Sequence, residues 1–130
     1  MNPVNWFEIP VTDIDRATKF YEAVLGINLE DLPMPAGMEG LSMKSFPMEW
    51  GKPGSSGALV QMESYTPSYE GSLVYFSVTD IDAVIELARQ NGGKVVNAKQ
   101  DIGEYGWTGH FEDCEGNRIG LHTNKPEATT

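Results

Sequence analysis

The sequence predicts an α+β protein in which two βαβββ modules form a curved eight-stranded mixed sheet around a cleft, with the helices outside. The first observation is that Val-Thr-Asp-Ile-Asp stands at residues 11–15 and again at residues 78–82. The second is that each copy follows a short apolar stretch and precedes an amphipathic one. This order is typical of a strand that is followed by a helix. Such self-similarity indicates one unit used twice. The predicted modules cover 4–63 and 71–124 of a single domain, 1–130, with a flexible tail at 125–130.

The first strand of the first module is predicted to separate an apolar face from a mixed one. Side chains alternate between the two faces of a strand, so Trp6 and Glu8 share a face and point towards the cleft. The opposite set is wholly apolar and suits a core beneath a helix. This core-facing set is Phe7, Ile9 and Val11, in a strand predicted at residues 5–11.

A helix is predicted after each copy of the repeat. Thr12 or Asp13 can cap the first helix, because either side chain can accept a hydrogen bond from a free amide of the first turn. Gly26 suits its end, since glycine adopts the left-handed conformation readily. Two carboxylates at a helix start resemble a metal clamp, but helix capping is the favoured interpretation of Asp-Ile-Asp. The second helix is predicted at 80–90, with Asn-Gly-Gly at 91–93 ending it.

Each module also contains a predicted hairpin. The turns are indicated by runs of Gly, Pro, Ser, Asp and Asn, which favour turn conformations. The hairpin strands are predicted at 41–48 and 57–62 in the first module and at 107–111 and 118–122 in the second, where the turn is Asp-Cys-Glu-Gly-Asn at 113–117.

Composition limits the classes of function. The formal net charge of −10 argues against a nucleic-acid partner, which requires a basic face. It also disfavours anionic substrates unless local arginines or lysines offset it. No apolar stretch approaches the roughly 18 residues of a membrane span, so no membrane partner is expected. With one cysteine, Cys114, and no visible export signal, a cytoplasmic location is expected.

Several motifs resemble those of one family. The chain resembles the vicinal oxygen chelate superfamily, which includes glyoxalase I, bleomycin-resistance proteins and extradiol dioxygenases. The resemblance covers nearly the whole chain and implies the fold given above, but not one reaction, because this fold hosts isomerases, dioxygenases, epimerases, lyases and drug-binding proteins. The matching motifs are EIPVTD at 8–13, FY at 20–21, LG at 25–26, VTDID at 78–82, NGG at 91–93 and DCEGNRIGL at 113–121.

The resemblance also implies where a metal would be held. Enzymes of this family typically take one ligand from the first strand of each half and one from the last. The histidine position of the first half falls on Trp6, and the repeat places its counterpart at Leu73. The carboxylate position of the final strand falls on Gly120, with a counterpart near Ala58 or Val60. Since none of these side chains can coordinate a divalent ion, we expect neither a metal in the usual site nor another cofactor.

Two candidate catalytic residues remain. Glu8 and His122 each lie two residues along from a vacant ligand position, so strand alternation gives them the same face as that ligand. A Glu8–His122 pair could transfer a proton, because histidine titrates near neutral pH. In the alternative and favoured interpretation, Glu8 is bonded to backbone or to Arg118, and His122 is merely the partly solvated end of a strand.

Aromatic residues are the candidate ligand-binding groups. Trp6, Tyr75 and Trp107 could stack on a planar or apolar ligand, and His110 is a further candidate that could face the cleft. Equally, the three rings could simply fill a collapsed cavity, and a single strand histidine is more often structural. Met48 and Trp50 could rim a pocket or lie at a dimer contact.

Two hypotheses follow. In the first, the protein binds a small apolar or aromatic molecule without a metal. In the second, it is a small glyoxalase-like lyase, isomerase or epimerase that uses Glu8, His122 or both as acid–base groups. The resemblance further implies a homodimer, because members commonly build sites across two chains.

Overall fold

The fold is described from a computed structural model, which describes residues 3–33, 40–49 and 51–126. The chain forms two compact units, Met1–Ser68 and Tyr69–Thr130, and the element order in each is βαβββ. The α+β class with two βαβββ modules is confirmed. The single domain spanning 1–130 stays a prediction.

The first unit contains one four-stranded mixed sheet in the order β1-β4-β3-β2. Its first strand runs parallel to its last, and the remaining neighbours are antiparallel. The elements are β1 (Trp6–Val11), α1 (Ile14–Leu25), β2 (Glu30–Asp31), β3 (Ser42–Ser45) and β4 (Ser56–Gln61).

The second unit has the corresponding sheet order, β5-β8-β7-β6. Again the first strand is parallel to the last. The elements are β5 (Val74–Ser77), α2 (Ile81–Gln90), β6 (Lys94–Asp101), a short 3-10 turn (Gly103–Tyr105), β7 (Trp107–Glu112) and β8 (Arg118–Thr123).

The first aspartate of each repeat caps the helix that follows. Asp13 Oδ1 accepts from the amide of Arg16 at 3.1 Å, and Asp80 Oδ1 accepts from the amide of Ala83 at the same distance. Each bond satisfies an amide that has no partner within its helix. Gly26 ends α1 with a left-handed φ of 66°, as predicted. Asp-Ile-Asp therefore serves as a helix start in both units.

The predicted core face of β1 is buried at two of its three positions, whereas Phe7 is half-buried. Ile9 and Val11 are buried, whereas Glu8 is exposed. Tyr21 of α1 is fully buried and meets Phe46 edge-on, with ring centroids 5.7 Å apart. Apolar burial of this kind stabilises a domain by roughly 25 cal/mol per Å², and it leaves the other side of β1 free for Trp6 and Glu8.

The two faces of the second sheet differ in the same way. Gly109 of β7 lies directly beneath α2, because a Cβ there would stand 2.8 Å from Ile81 Cγ2. Phe111 and Leu121 share that side and are fully buried. Strand alternation places His110 and its neighbours on the opposite side.

The turn between β7 and β8 is built around a buried carboxylate. Asp113 is 1% exposed, and its Oδ1 accepts from the amides of Glu115 and Asn117 at 2.8 and 2.9 Å. Its Oδ2 accepts from Asn117 Nδ2 at 3.1 Å. These bonds fix the turn that sets the register of the two strands.

Some predictions fall outside the described residues. Trp50, residues 34–39 of a predicted loop and residues 127–130 of the predicted tail belong to this group. Within the tail, Lys125 forms an ion pair with Asp101 at 2.8 Å. None of the helices in the described ranges is long and apolar enough to cross a membrane.

Candidate functional site

Four residues line up across the second sheet on the side away from α2. Gly120 of β8 pairs with Tyr75 of β5 on one side and with His110 of β7 on the other. His110 in turn pairs with Asn97 of β6. Directly paired residues on adjacent strands share a face. We refer to this side of the second sheet as the Tyr75 face.

The side chains of this row form a hydrogen-bonded chain. His110 Nδ1 lies 3.1 Å from Asn97 Nδ2, and His110 Nε2 lies 2.8 Å from the Tyr75 hydroxyl oxygen. An amide nitrogen can only donate, so Nδ1 accepts and Nε2 of the neutral imidazole carries the proton. His110 then donates to the Tyr75 oxygen, and the hydroxyl proton of Tyr75 remains available to a ligand.

The neutral state of His110 is favoured by its surroundings. Partial burial lowers the pKa of His110 below its usual 6.5, and the positive charge of Arg118 lowers it further. Both effects disfavour the imidazolium. At neutral pH these hydrogen-bonded side chains therefore leave the Tyr75 hydroxyl group as a donor to a ligand.

Gly120 is required for this arrangement. The Tyr75 ring lies over it so closely that a Cβ at Gly120 would stand 2.5 Å from ring atoms Cδ1 and Cε1. Glycine inside a strand commonly marks such a close approach. The position matched to the family's carboxylate ligand is thus covered by an aromatic ring.

Arg118 lies on the same face, two residues before Gly120 on β8. Its Nε is buried and has no hydrogen-bond partner among the described residues. Its guanidinium carbon lies 5.9 Å from the centre of the Tyr69 ring. Tyr69 donates its hydroxyl proton to Glu112 Oε1 at 2.8 Å, which raises the pKa of Tyr69. Arg118 is therefore a positioned cation with unused donor capacity.

His122 occupies the next row of the Tyr75 face, between Ser77 of β5 and Thr108 of β7. Its Nε2 lies 2.7 Å from the carbonyl oxygen of Tyr105. A carbonyl can only accept, so Nε2 is the protonated nitrogen. The short turn before β7 thus fixes this ring.

Glu8 and Trp6 are brought together in the first unit. Trp6 Nε1 donates to Glu8 Oε2 at 3.3 Å, as their shared face permits. Trp6 and Met48 also line an open pocket of about 490 Å³ within this unit. Because Glu8 and His122 belong to different units, a catalytic pair between them stays a prediction.

Trp107 lies away from the other predicted ligand-binding residues of its unit. It alternates with Thr108 and shares the helix side of β7 with Gly109 and Phe111. The amines of Lys125 and Lys99 lie 4.0 and 4.6 Å from its ring centre. Strand alternation therefore places Trp107 and Tyr75 on opposite faces of the sheet, and a ligand-binding role for Trp107 stays a prediction.

The residues do not fit the metal site that the family resemblance implies. Trp6, Leu73 and Gly120 carry no donor atom for an ion, and the ring of Tyr75 covers Gly120. Within the described ranges, no group of three His, Cys, Asp or Glu side chains is placed to hold a metal.

Sequence reasoning missed Asn97 and Tyr69 as parts of this face and treated Arg118 only as a partner of Glu8. The available signal was the alternation Arg-Ile-Gly-Leu-His at 118–122. It places an arginine, a glycine and a histidine on one side of a strand whose other side is apolar. A glycine there predicts that a neighbouring side chain crosses it.

Comparison with known proteins agrees with this fold. The family model described as Glyoxalase/Bleomycin resistance protein/Dioxygenase superfamily matches residues 4–121. CFP32 of Mycobacterium bovis, provisionally named a glyoxylase, is 30% identical over 117 residues, which are 90% of this chain and 44% of that protein. The chain therefore spans less than half the length of this curated relative.

Solved structures of low sequence identity share the fold. A glyoxylase/bleomycin resistance protein/dioxygenase domain from Frankia sp. EAN1pec is 17% identical with a TM-score of 0.69, covering 96% of this chain and 99% of that one. A glyoxalase I mutant from Zea mays is 20% identical with a TM-score of 0.68, covering 94% of this chain and 47% of that one.

Proposed function

Because the chain belongs to the glyoxalase/bleomycin resistance protein/dioxygenase superfamily, we propose that it binds a small, mainly apolar or aromatic molecule on the Tyr75 face without using a metal. The observation that carries the proposal is the Tyr75 ring, which is 47% exposed yet held in place by His110 and by its contact with Gly120. An exposed, oriented ring offers a stacking surface at little cost in side-chain entropy.

The polar groups of the face suit recognition as well. Ligand sites are commonly apolar surfaces with a few placed polar groups that fix the orientation of the ligand. Here these groups are the Tyr75 hydroxyl and the neutral His110, supported by Asn97. Their positions are set by strand pairing rather than by loops, so the face is preorganised.

The test is a thermal-shift screen of aromatic compounds on chelator-treated protein, with metal content measured in parallel. A ligand that binds the folded state raises the Tm, and we expect this rise without stoichiometric metal. Tyr75→Ala should abolish it. Tyr105→Ala is the matched control, because Tyr105 lies in the same unit with its side chain largely exposed and it contributes only its carbonyl to His122.

Two results would contradict the proposal. One is tight stoichiometric metal on which the Tm rise depends. The other is a Tm rise that is unchanged in Tyr75→Ala, because the ligand would then bind elsewhere.

A glyoxalase-like lyase, isomerase or epimerase is the second candidate. It is favoured by the exposed carboxylate of Glu8 and by the fixed ring of His122, whose Nε2 proton is committed to the Tyr105 carbonyl. Either group could accept a proton. Turnover of a 2-oxoaldehyde adduct that is lost in Glu8→Gln would establish this function, whereas unchanged turnover would remove Glu8 from it.

We also propose a cytoplasmic homodimer as the working form. Light scattering coupled to gel filtration tests this assembly, and a mass equal to one chain would contradict it.

A further inference from the structure

We infer that the ligand of the Tyr75 face carries a single negative charge on an oxygen group, an aromatic carboxylate being the simplest such molecule, and that Arg118 binds this charge. The inference rests on the proposed function, because it names the chemical class of the ligand for the same face.

Arg118 has hydrogen-bond donors that no acceptor among the described residues uses. A guanidinium has five N–H donors in a planar fork that matches a carboxylate. Within the part of the chain that the structure describes, Arg118 has no ion pair, and its buried Nε has no hydrogen-bond partner. Because Nε itself is buried, a carboxylate would accept from the terminal N–H groups of the fork rather than from Nε.

Charged side chains lie beside Arg118 on the neighbouring strands. Arg118 of β8, Glu112 of β7 and Lys94 of β6 form one row of directly paired residues. This row carries two cations and one carboxylate, and Glu112 is engaged by the hydroxyl of Tyr69. Within this row the cations therefore outnumber the carboxylate by one, in a chain whose formal net charge is −10.

The same balance selects a monoanion. One arginine and one lysine beside a carboxylate compensate a single charge, while a phosphate dianion would also be repelled by Glu112 and by the acidic remainder of the chain. A carboxylate is thus the better match than a phosphate.

Arg118 and Tyr75 are close enough to contact one ligand. Arg118 lies two residues from Gly120 on one strand, so the two positions are about 7 Å apart, and the Tyr75 ring lies over Gly120. The hydroxyl proton of Tyr75 is available because Nε2 of His110 donates to the oxygen. A carboxylate can therefore accept from Arg118 and Tyr75 while its ring contacts the exposed aromatic surface of Tyr75 or Tyr69.

The test compares benzoate with benzamide by isothermal titration of chelator-treated protein. The two molecules share size and ring but differ in charge. We expect benzoate to bind at least tenfold more tightly, because benzamide lacks the charge that pairs with the guanidinium of Arg118. The benzoate affinity should also fall as salt is raised, because screening weakens the attraction.

Variants of Arg118 test whether this residue binds the negative charge of the ligand. Arg118→Gln should weaken benzoate binding at least tenfold and leave benzamide binding unchanged. Arg118→Lys should give an intermediate affinity, because it retains the charge and loses the fork. Arg89→Gln is the matched control, since Arg89 is an exposed arginine of α2 already paired with Glu86. Circular dichroism checks the fold of each variant, and Arg118→Lys carries the test if Arg118→Gln does not fold.

The outcomes separate this inference from the proposed function. One outcome is that benzamide and benzoate bind equally well, with both affinities lost in Tyr75→Ala. That result would overturn the role of charge and would still support binding on the Tyr75 face. Benzoate binding that is unaffected at Arg118 would also overturn the assignment. If the binding of no aromatic compound depended on Tyr75, the proposed function itself would be contradicted.

Discussion

The phenol ring of Tyr75 occupies the space that a side chain at Gly120 would need. A Cβ at Gly120 would lie 2.5 Å from Cδ1 of the ring, and the family resemblance assigns a carboxylate ligand to this position. The corresponding pair in the first unit is Glu8 and Ala58, which are also direct partners on parallel strands. At the position that the resemblance assigns to a carboxylate ligand, this chain therefore has an aromatic ring lying over a glycine.

Gly120→Ala is expected to displace Tyr75. The added Cβ would collide with the ring, so the ring must move away and lengthen its 2.8 Å bond to His110. We expect a loss of about 1–3 kcal/mol in the free energy of unfolding, as for other overpacked sites. Urea unfolding measures this loss, and NMR of the His110 ring reports the broken bond.

A double-mutant cycle is the control for this prediction. In a Tyr75→Ala background the clash is absent, so Gly120→Ala should cost clearly less. An equal cost in both backgrounds would show that the contact with Tyr75 is not the cause.

His110 is expected to titrate below 6.5. Burial and the charge of Arg118 lower its pKa, so the unfolded chain binds a proton at a higher pH than the folded protein does. The associated stability is fully present above pH 6.5 and is lost as the pH falls from 6.5 through the folded pKa. NMR titration of the ring checks the midpoint. A midpoint at or above 6.5, or the same pH dependence of unfolding in His110→Gln, would contradict the assignment.

Asn97→Asp should shift that midpoint upwards. The amide now donates to Nδ1 of His110, whereas a carboxylate accepts from a protonated Nδ1 and stabilises the imidazolium. The same titration measures the shift relative to the natural chain. The matched control is Asn91→Asp, because the Asn91 amide donates to the Leu87 carbonyl at the end of α2 and its change should leave His110 unaffected.

Asp113→Ala should destabilise the second unit strongly. The change leaves the amides of Glu115 and Asn117 without their acceptor in a turn where Asp113 is almost fully buried. Hydrogen bonds to charged groups contribute about 1.5–3 kcal/mol each, and we expect a total loss of about 3 kcal/mol in chemical unfolding. Asp82→Ala, at an exposed position in the first turn of α2, should cost about 0.5 kcal/mol. Similar losses in both variants would contradict the role given to the turn.

The fold was predictable because its signals are local. The repeated cap, the glycine at the end of α1 and the apolar alternation of β1 each depend on neighbouring residues only. The Tyr75 face was less accessible, since its chain of hydrogen bonds joins β5, β7 and β6 in a register that no local pattern specifies. Trp107 shows most clearly why the face was hard to predict, because a shift of one residue along a strand moves a side chain to the opposite face of the sheet.

The most direct test of the central claim is an NMR titration of chelator-treated protein with the best aromatic ligand from the thermal-shift screen. The account predicts that the largest chemical-shift changes fall on Tyr75, His110 and Gly120 while the protein contains less than stoichiometric metal. Changes centred on the pocket of Trp6 and Met48, or changes that appear only after Zn²⁺ or Mn²⁺ is added, would contradict it.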